Sequence, residues 1–222
     1  MRLLAIDTAL AACSAAVFDT DGGVVASESE AMTRGHAEAL MPMIARVMAK
    51  AAIKFDNIDR IAVTVGPGSF TGLRVGVAAA RGLAFAAGKP AVGVATTTAY
   101  AAPYLADNDK IPVLIAIDAR NDQAYMQAFG EGARVLLPAQ LAPLRTLTAL
   151  SFGPMRIIGS AARRVAALWP DEQAVTVDER GAPDIEWVAQ IGIAADAKEA
   201  PTPLYLGSPN YKTQPASALL RR

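Results

Sequence analysis

The sequence predicts an α/β protein made of two related halves, each with a mixed sheet flanked by helices. Two observations lead to this prediction. A strand motif occurs twice, because Leu4-Ala5-Ile6-Asp7 returns as Ile115-Ala116-Ile117-Asp118, and Phe18 and Phe129 follow at the same offset. Strand-like and helical runs also follow one another in the order βββαβα in each half. The shared offset indicates an internal duplication, and 222 residues accommodate two units of about 100 residues each.

The first half is expected to begin with three strands, the last two joined by a hairpin turn at Asp21-Gly22-Gly23. We predict strands at 2–7, 12–19 and 24–30, a helix at 35–54, a strand at 61–65, a helix at 70–87, a strand at 91–95 and a helix from about 97. Asp107-Asn108-Asp109 reads as a linker. The predicted domains are therefore 1–106 and 107–222, and the second range consists of a smaller domain followed by an extended tail.

The second half is expected to repeat this order. We predict strands at 112–118, 123–129 and 133–137, a helix at 142–150, a strand at 156–158, a helix at 160–168, a strand at 174–177 and a helix at 183–197. Pro183 is expected in the first turn of the last helix. The tail after Ala200 should be extended, because prolines interrupt it at Pro201, Pro203, Pro209 and Pro215.

Composition indicates a soluble globular protein with a large core. Hydrophobic residues make up 53% of the chain, and 21 basic side chains balance 21 acidic ones. This zero net charge argues against tight binding of nucleic acid by the chain alone. No apolar run reaches the roughly 18 residues of a membrane helix, and the N-terminus enters a strand directly. With Cys13 as the one cysteine, we expect a cytoplasmic protein without disulfides.

A glycine-rich turn joins a strand to the second predicted helix. Gly66 and Gly68 flank Pro67, and Ser69 or Thr71 can cap the first helical turn. Such a turn can bind an anion. However, the lysine of a phosphate loop and the third glycine of a dinucleotide fingerprint are both missing. Phosphate binding is therefore the less favoured interpretation.

The helix that follows contains three interior glycines, Gly72, Gly76 and Gly82. Each costs roughly 1 kcal/mol relative to alanine, so close packing must offset the cost. Gly72 and Gly76 lie on one face, where another backbone could approach. Two interpretations stay open: tight packing on the chain's own sheet, or a docking face for the helix of a second protein.

His36 is the only histidine, so one chain cannot provide two imidazoles to a metal. The serine context at Ser69 is not a nucleophile elbow, which disfavours a hydrolase. Cys13 lies in the middle of a strand and is expected to be a small buried hydrophobe. His36 is expected to begin the first helix and to bond either Glu38 or the turn at 68–71.

Several motifs together resemble the bacterial TsaB (YeaZ) family of tRNA threonylcarbamoyladenosine biosynthesis. They are Leu3-Leu4-Ala5-Ile6-Asp7-Thr8-Ala9, Ala12-Cys13-Ser14, His36-Ala37-Glu38 with Leu40-Met41-Pro42, Gly66-Pro67-Gly68-Ser69-Phe70-Thr71-Gly72-Leu73-Arg74-Val75-Gly76 and Ile117-Asp118-Ala119-Arg120. The resemblance implies the duplicated fold of actin-like ATPases and sugar kinases, in agreement with the internal repeat.

The resemblance also implies a non-catalytic subunit without a metal or a cofactor. Its partners would be the paralogue TsaD and the ATPase TsaE, and it would contact tRNA only through that complex. TsaD carries a His-x-x-x-His metal pair, whereas here Leu40 stands four residues after His36. Asp7 is followed by Thr8-Ala9 and lacks the Asp-x-Gly of an ATPase. The alternatives are a metal-dependent peptidase of the glycoprotease type and a relic of a small sugar or acetate kinase.

The predicted partner interface lies on the two helices that begin near 35 and 70, which would form a four-helix bundle with TsaD, or with a second copy when TsaD is absent. The predicted interface residues are His36, Ala39, Leu40, Met43, Val47, Phe70, Gly72, Leu73, Val75, Gly76, Ala79, Ala80 and Leu83. A bulky residue at Gly76 is expected to abolish association and leave the monomer folded.

Overall fold

Two five-stranded sheets with one common topology form the framework of the molecule. The computed structural model describes residues 1–107, 110–149, 154–169 and 175–207. In each sheet the first strand of the half lies at the centre. It pairs antiparallel with the second strand and parallel with the fourth. The predicted duplicated α/β fold with mixed sheets is confirmed.

The first half follows the predicted order. Its elements are β1 (Arg2–Asp7), β2 (Ala12–Asp19), β3 (Gly23–Ala31), α1 (His36–Ala51), β4 (Arg60–Gly66), α2 (Phe70–Ala87), β5 (Ala91–Ala95) and α3 (Thr96–Ala106). The strand order across the sheet is β3-β2-β1-β4-β5.

The second half repeats this arrangement. Its elements are β6 (Val113–Asp118), β7 (Gln123–Phe129), β8 (Val135–Pro143), a 3-10 helix (Leu144–Ala149), β9 (Met155–Ile158), α4 (Ala162–Ala166), β10 (Val175–Asp178) and α5 (Ile185–Ala194). The strand order is β10-β9-β6-β7-β8, so β6 takes the place that β1 has in the first sheet.

Helices cover both faces of the first sheet. α1 and α2 pack on one face, where Leu40, Met43 and Val77 meet the side chains of Leu4 and Ile6. α5 packs on the opposite face. The second sheet lies between α3 and α4. Thus α3 belongs to the first half but packs on the second sheet, and α5 belongs to the second half but packs on the first sheet.

The placement of α5 is a feature that sequence patterns did not reveal. Ile185, Val188 and Ala189 are buried against the first sheet. At the end of the helix, one Nη atom of Arg60 donates hydrogen bonds to three carbonyl oxygens, those of residues 192, 193 and 195, at 2.8–3.0 Å. The division at residues 106 and 107 stays a prediction, while α5 packs across it.

Several predicted elements of the second half are wrong in extent or type. The third strand does not stop at 137 but continues to Pro143, and the helix predicted at 142–150 is replaced by the 3-10 helix. Pairing with β7 from Gln123 to Phe129 overrides the helical propensity of this Leu- and Ala-rich run. Pro138 is tolerated because β8 is an edge strand.

Helix ends also differ from the predictions. α1 begins at His36 and ends at Ala51, three residues before the predicted end, because Ala52 adopts a left-handed conformation that closes it. The helix predicted at 160–168 is reduced to α4. Pro183 precedes α5, because Asp184 is the cap and accepts a hydrogen bond from the Glu186 N–H at 3.0 Å.

Some predictions fall on residues outside the described ranges. They are the linker positions Asn108 and Asp109, the end of the predicted helix at 150, the start of the predicted strand at 174, and the tail beyond 207, with Pro209 and Pro215. Among the described residues, no helix is both long enough and apolar enough to cross a bilayer.

Candidate functional site

The glycine-rich turn closes over the chain's own backbone. Gly66 has a φ of 118°, which favours glycine, and its peptide bond to Pro67 is cis. A Cβ atom at Gly66 would lie 2.6 Å from the carbonyl oxygen of Leu204, and one at Gly68 would lie 2.4 Å from that of Ala9. Neither glycine leaves room for a side chain.

The N-terminus of α2 is occupied by the loop that follows β1. Ser69 is the cap, and its Oγ accepts from the Gly72 N–H at 3.3 Å, whereas Thr71 is exposed. The Ser69 N–H donates to the carbonyl of Ala9 at 2.7 Å. Thr8 Oγ1 donates to the Gly72 carbonyl, also at 2.7 Å. The Ala9 carbonyl and Ser69 Oγ thus accept from two of the N–H groups that an anion would use, which argues against phosphate binding here.

The interior glycines of α2 approach this same loop. A Cβ atom at Gly72 would lie 2.1 Å from the carbonyl oxygen of Thr8, and one at Gly76 would lie 2.4 Å from Thr8 Oγ1. Gly82, in contrast, has open space around its Cβ position. The structure supports packing within the chain at Gly72 and Gly76. Their interpretation as a surface for a second protein stays a prediction.

The predicted interface residues divide into two groups. Those buried in the chain's own core are His36, Leu40, Met43, Val47, Gly72, Leu73, Gly76 and Ala80. Those partly accessible are Ala39, Phe70, Val75, Ala79 and Leu83. Only the second group can touch a partner without rearrangement of the core.

Of the residues that α1 and α2 present to solvent here, sequence reasoning found Ala79 and missed the other four. Met41 and Ala45 of α1 are exposed, as are Gly82 and Ala86 of α2, and Ala79 is half-buried beside them. We call these five residues the α1/α2 face. Helical spacing could have found it, because each member lies opposite or beside the buried stripe of its own helix.

Salt bridges fix which side of α1 faces α2. Arg46 and Lys50 both bind Glu28 of β3, so that side of α1 points to the sheet edge. Met41 and Ala45 lie about 140° away around the helix, toward α2. The pKa of Glu28 is lowered to about 2 because Arg46 and then Lys50 hydrogen-bond its carboxylate. None of the five residues of the α1/α2 face is charged, while exposed Glu38 lies on the same side of α1, seven residues before Ala45.

Asp7, at the end of β1, is buried without a full set of partners. Its Oδ1 accepts from the Ala9 N–H and from the Thr64 hydroxyl. Oδ2 has no hydrogen-bond partner among the described residues. Burial raises the pKa of Asp7, and the bonds from Thr64 and Ala9 oppose the rise. The carboxyl group has no solvent-accessible surface, so a ligand cannot reach it in this conformation.

His36 begins α1, as predicted, but neither of its predicted partners bonds it. Its Nε2 lies 3.0 Å from the carbonyl oxygen of Leu10, to which it donates. Cys13 is buried. The described part of the chain contains no group of three or more His, Cys, Asp or Glu side chains arranged to hold a metal ion.

The segment after α5 packs against the glycine-rich turn. The Leu204 N–H donates to the Val65 carbonyl at 2.7 Å. The Tyr205 ring lies 5.1 Å from that of Phe70. Arg74 stacks over Phe70 at 3.7 Å and donates from Nε to the Tyr205 hydroxyl at 3.1 Å. Residues 201–205 thereby brace the first turns of α2.

Comparisons with known proteins agree with this architecture. A family model described as TsaD, tRNA N6-adenosine threonylcarbamoyltransferase, matches residues 11–167. The chain is 39% identical over 125 residues to the tRNA threonylcarbamoyladenosine biosynthesis protein TsaB of Escherichia coli K12. That match covers 56% of this chain and 53% of the relative, so the chain spans about half the length of the curated relative it matches.

Solved structures extend the likeness over nearly the whole chain. YeaZ from Pseudomonas aeruginosa is similar with a TM-score of 0.77 at 26% identity, over 92% of this chain and 99% of that one. The component A of (R)-2-hydroxyglutaryl-CoA dehydratase from Acidaminococcus fermentans shares the fold alone, with a TM-score of 0.51 at 10% identity over 88% and 97% of the two chains.

The fold is therefore a duplicated α/β fold, shared with YeaZ and with the dehydratase component A. Both the sequence match and the structural match lie among proteins named TsaB or YeaZ. The chain belongs to the TsaD family of tRNA N6-adenosine threonylcarbamoyltransferases and, within it, to the TsaB/YeaZ group. The resemblance drawn from the sequence motifs is confirmed.

Proposed function

We infer that this chain is a non-catalytic subunit of the complex that transfers threonylcarbamoyl to N6 of the adenosine beside the tRNA anticodon. It would pair with TsaD and be joined by TsaE. The family membership and the name of the Escherichia coli relative support the pathway. A cytoplasmic location belongs to the same proposal, because the one cysteine, Cys13, is free.

The observation that carries the proposal is the α1/α2 face. Its exposed positions are small or flexible, because they hold alanine, glycine and Met41. Small residues let another helix approach closely, and methionine adapts to varied neighbours. A standard interface buries about 1,600 Å² in total, which two helices and their flanking loops can supply. The same face would pair two copies of this chain when TsaD is absent.

The groups that could carry chemistry are engaged within the chain, which supports a role without catalysis. Asp7 is fully buried, and His36 is bonded to Leu10. Leu40 stands where a second metal-binding histidine would be needed on α1. Any tRNA contact would then be made by the complex, consistent with the zero net charge of this chain.

The test is to mix the chain with TsaD of its own organism and measure the mass by light scattering. Formation of modified adenosine is then measured with TsaE, threonylcarbamoyl-adenylate and tRNA. We expect a heterodimer, and activity only when both TsaD and this chain are present. Modified tRNA made by this chain without TsaD would contradict the absence of catalysis.

A matched pair of variants locates the interface. Met41→Arg puts a charge on the α1/α2 face, where this side chain is 48% exposed, and should abolish pairing and activity together. Val135→Arg is the control, because Val135 of β8 is 51% exposed on the other half of the chain. Equal loss in both variants, or in neither, would contradict the proposed face.

A further inference from the structure

One line along the surface of α2 combines two arginines with an exposed aromatic side chain and a small residue. Arg74, Ala78, Arg81 and Phe85 are all exposed, and Phe85 presents 90% of its surface to solvent. These positions follow the spacing i, i+4, i+7 and i+11, which places them on one stripe of the helix. We call them the α2 stripe. Phe85 thus offers a large apolar surface beside two arginines, and a partner could bury it.

The α2 stripe is distinct from the α1/α2 face. Val75, Ala79 and Leu83 form the side of α2 that packs against the core beneath α1. At 100° per residue, the α2 stripe points roughly 130° away from that side, and roughly 100° away from Ala79, Gly82 and Ala86, the α2 members of the α1/α2 face. A partner on the α1/α2 face therefore leaves the far flank of the stripe open.

The fixed orientation of the Arg74 guanidinium suits the binding of a planar anionic group. Its guanidinium stacks on Phe70, and its Nε is bonded to Tyr205. Its two Nη groups have no hydrogen-bond partner among the described residues, so they remain available as a fork for a carboxylate. This bracing reduces the side-chain entropy that binding would cost.

No acidic residue lies near the α2 stripe in the sequence to balance its two positive charges. No aspartate or glutamate occurs between Asp59 and Asp107, a range that holds all of α2. Arg81, like the Nη groups of Arg74, forms no ion pair within the part of the chain that the structure describes. A surface of this kind complements a negatively charged partner.

The spacing of the charges defines the shape of that partner. Arg74 and Arg81 are seven residues apart, two turns or about 10.5 Å along the axis. Ala78 and Phe85 are also seven apart, and the small side chain of Ala78 lets another helix approach between the two arginines. Charged and apolar residues thus alternate along the stripe, and each kind repeats after seven residues. Helices that pack side by side have this pattern along their contact. We propose that the α2 stripe docks an acidic amphipathic helix of another protein, with carboxylates two turns apart and apolar residues between them.

This inference stands apart from the proposed function, because it concerns another surface and is tested with other reagents. The probe is a synthetic 21-residue helical peptide with leucine at i and i+7 and glutamate at i+4 and i+11 of one face. A second peptide has lysine in place of each glutamate. Binding is measured by fluorescence anisotropy in dilute salt, and circular dichroism checks that each variant is folded.

We expect the acidic peptide to bind and the lysine peptide not to bind. Arg74→Glu with Arg81→Glu should weaken the acidic peptide about tenfold and allow the lysine peptide to bind instead. Phe85→Ala should also weaken binding, with the charges unchanged. The control is Arg34→Glu with Arg134→Glu, two exposed arginines elsewhere, and it should bind like the unaltered chain. Arg81→Glu alone keeps the test valid if the loss of the Arg74 stack disturbs folding.

Two results would overturn the proposal. One is equal affinity of the double variant and the unaltered chain for the acidic peptide. The other is tighter binding of a twelve-residue oligoadenylate than of the acidic peptide, lost in the double variant, which would assign the stripe to single-stranded RNA.

Discussion

Gly72 and Gly82 lie in the same helix, yet their surroundings give them opposite roles. The Cβ position of Gly72 is 2.1 Å from a backbone oxygen of Thr8, whereas that of Gly82 meets nothing within 4 Å. The sequence predicted that close packing offsets the cost of glycines inside a helix. It could not say which of them is packed in this way, because the contact is made by a loop more than sixty residues away.

We expect Gly72→Ala to lower the free energy of unfolding by about 1–3 kcal/mol, since the new methyl group clashes with backbone that cannot move freely. Gly82→Ala should raise it by about 1 kcal/mol, because alanine is the better helix former at an open site. Urea denaturation of both variants measures this. A Gly72→Ala variant as stable as the unaltered chain would contradict the packing described for Thr8.

The buried carboxyl of Asp7 makes stability depend on pH. Its pKa is raised in the folded state by burial, so the folded state binds more protons than the unfolded state above the ordinary pKa of aspartate. This part of the stability is present at low pH and is lost as the pH rises through the folded-state pKa. Asp7→Asn should therefore raise the free energy of unfolding near pH 7, by about 1 kcal/mol.

Denaturation of Asp7→Asn from pH 4 to pH 8 tests this expectation, with Asp19→Asn as the control. The pKa of Asp19 is lowered, chiefly by the Asp21 N–H and by Arg2. Its contribution to stability is present at neutral pH and is lost as the pH falls through its folded-state pKa. The two variants should thus change stability in opposite directions at pH 7. A change of the same sign in both would contradict the description of the Asp7 site.

At the level of elements, prediction succeeded where the pattern is local. α2 was predicted at its observed bounds, because Ser69 and Gly88 mark its ends and apolar periodicity fills its interior. It failed at 135–143, where pairing with β7 decides the structure. The exposed residues Met41, Ala45, Gly82 and Ala86 of α1 and α2 were also missed. An apolar residue on a helix surface and one in the core look alike until the neighbouring elements are known.

Arg60 holds the end of α5 on the first sheet through its three carbonyl contacts. We expect Arg60→Leu to cost about 2 kcal/mol, because hydrogen bonds from a charged donor to three partly buried carbonyl oxygens are lost. Hydrogen exchange of residues 185–195 should then accelerate more than that of α1. Arg60→Lys, which keeps the charge and one donor, should have a smaller effect. Uniform acceleration in all helices would contradict a role confined to α5.

At the scale of the whole molecule, the duplication was visible in the sequence, but the exchange of helices between the halves was not. The repeat depends on short motifs that survive in both copies, such as the strands that end at Asp7 and Asp118. The placement of α5 depends on which apolar face lacks a cover. This depends on contacts between residues 3–5 and 185–189. The periodicity of either segment alone does not predict such contacts.

We expect residues 1–106 not to fold alone, because without α5 the apolar face around Leu3, Ala5 and Val92 has no cover. Near-ultraviolet circular dichroism and amide proton dispersion of this fragment should resemble those of an unfolded or aggregated chain. Residues 1–207, which include α5 and the segment that braces α2, are the control and should give a native spectrum. Well-dispersed signals from residues 1–106 would contradict the requirement for α5.

The position of α5 also has a consequence for synthesis on the ribosome. The first sheet is complete in sequence by Ala95, but its cover ends only at Ala194. At about 5–20 residues per second, the intervening stretch of roughly 100 residues takes roughly 5–20 s to translate. During that interval the nascent chain carries an uncovered apolar sheet. The topology thus sets a minimum time for which this apolar surface stays uncovered during synthesis.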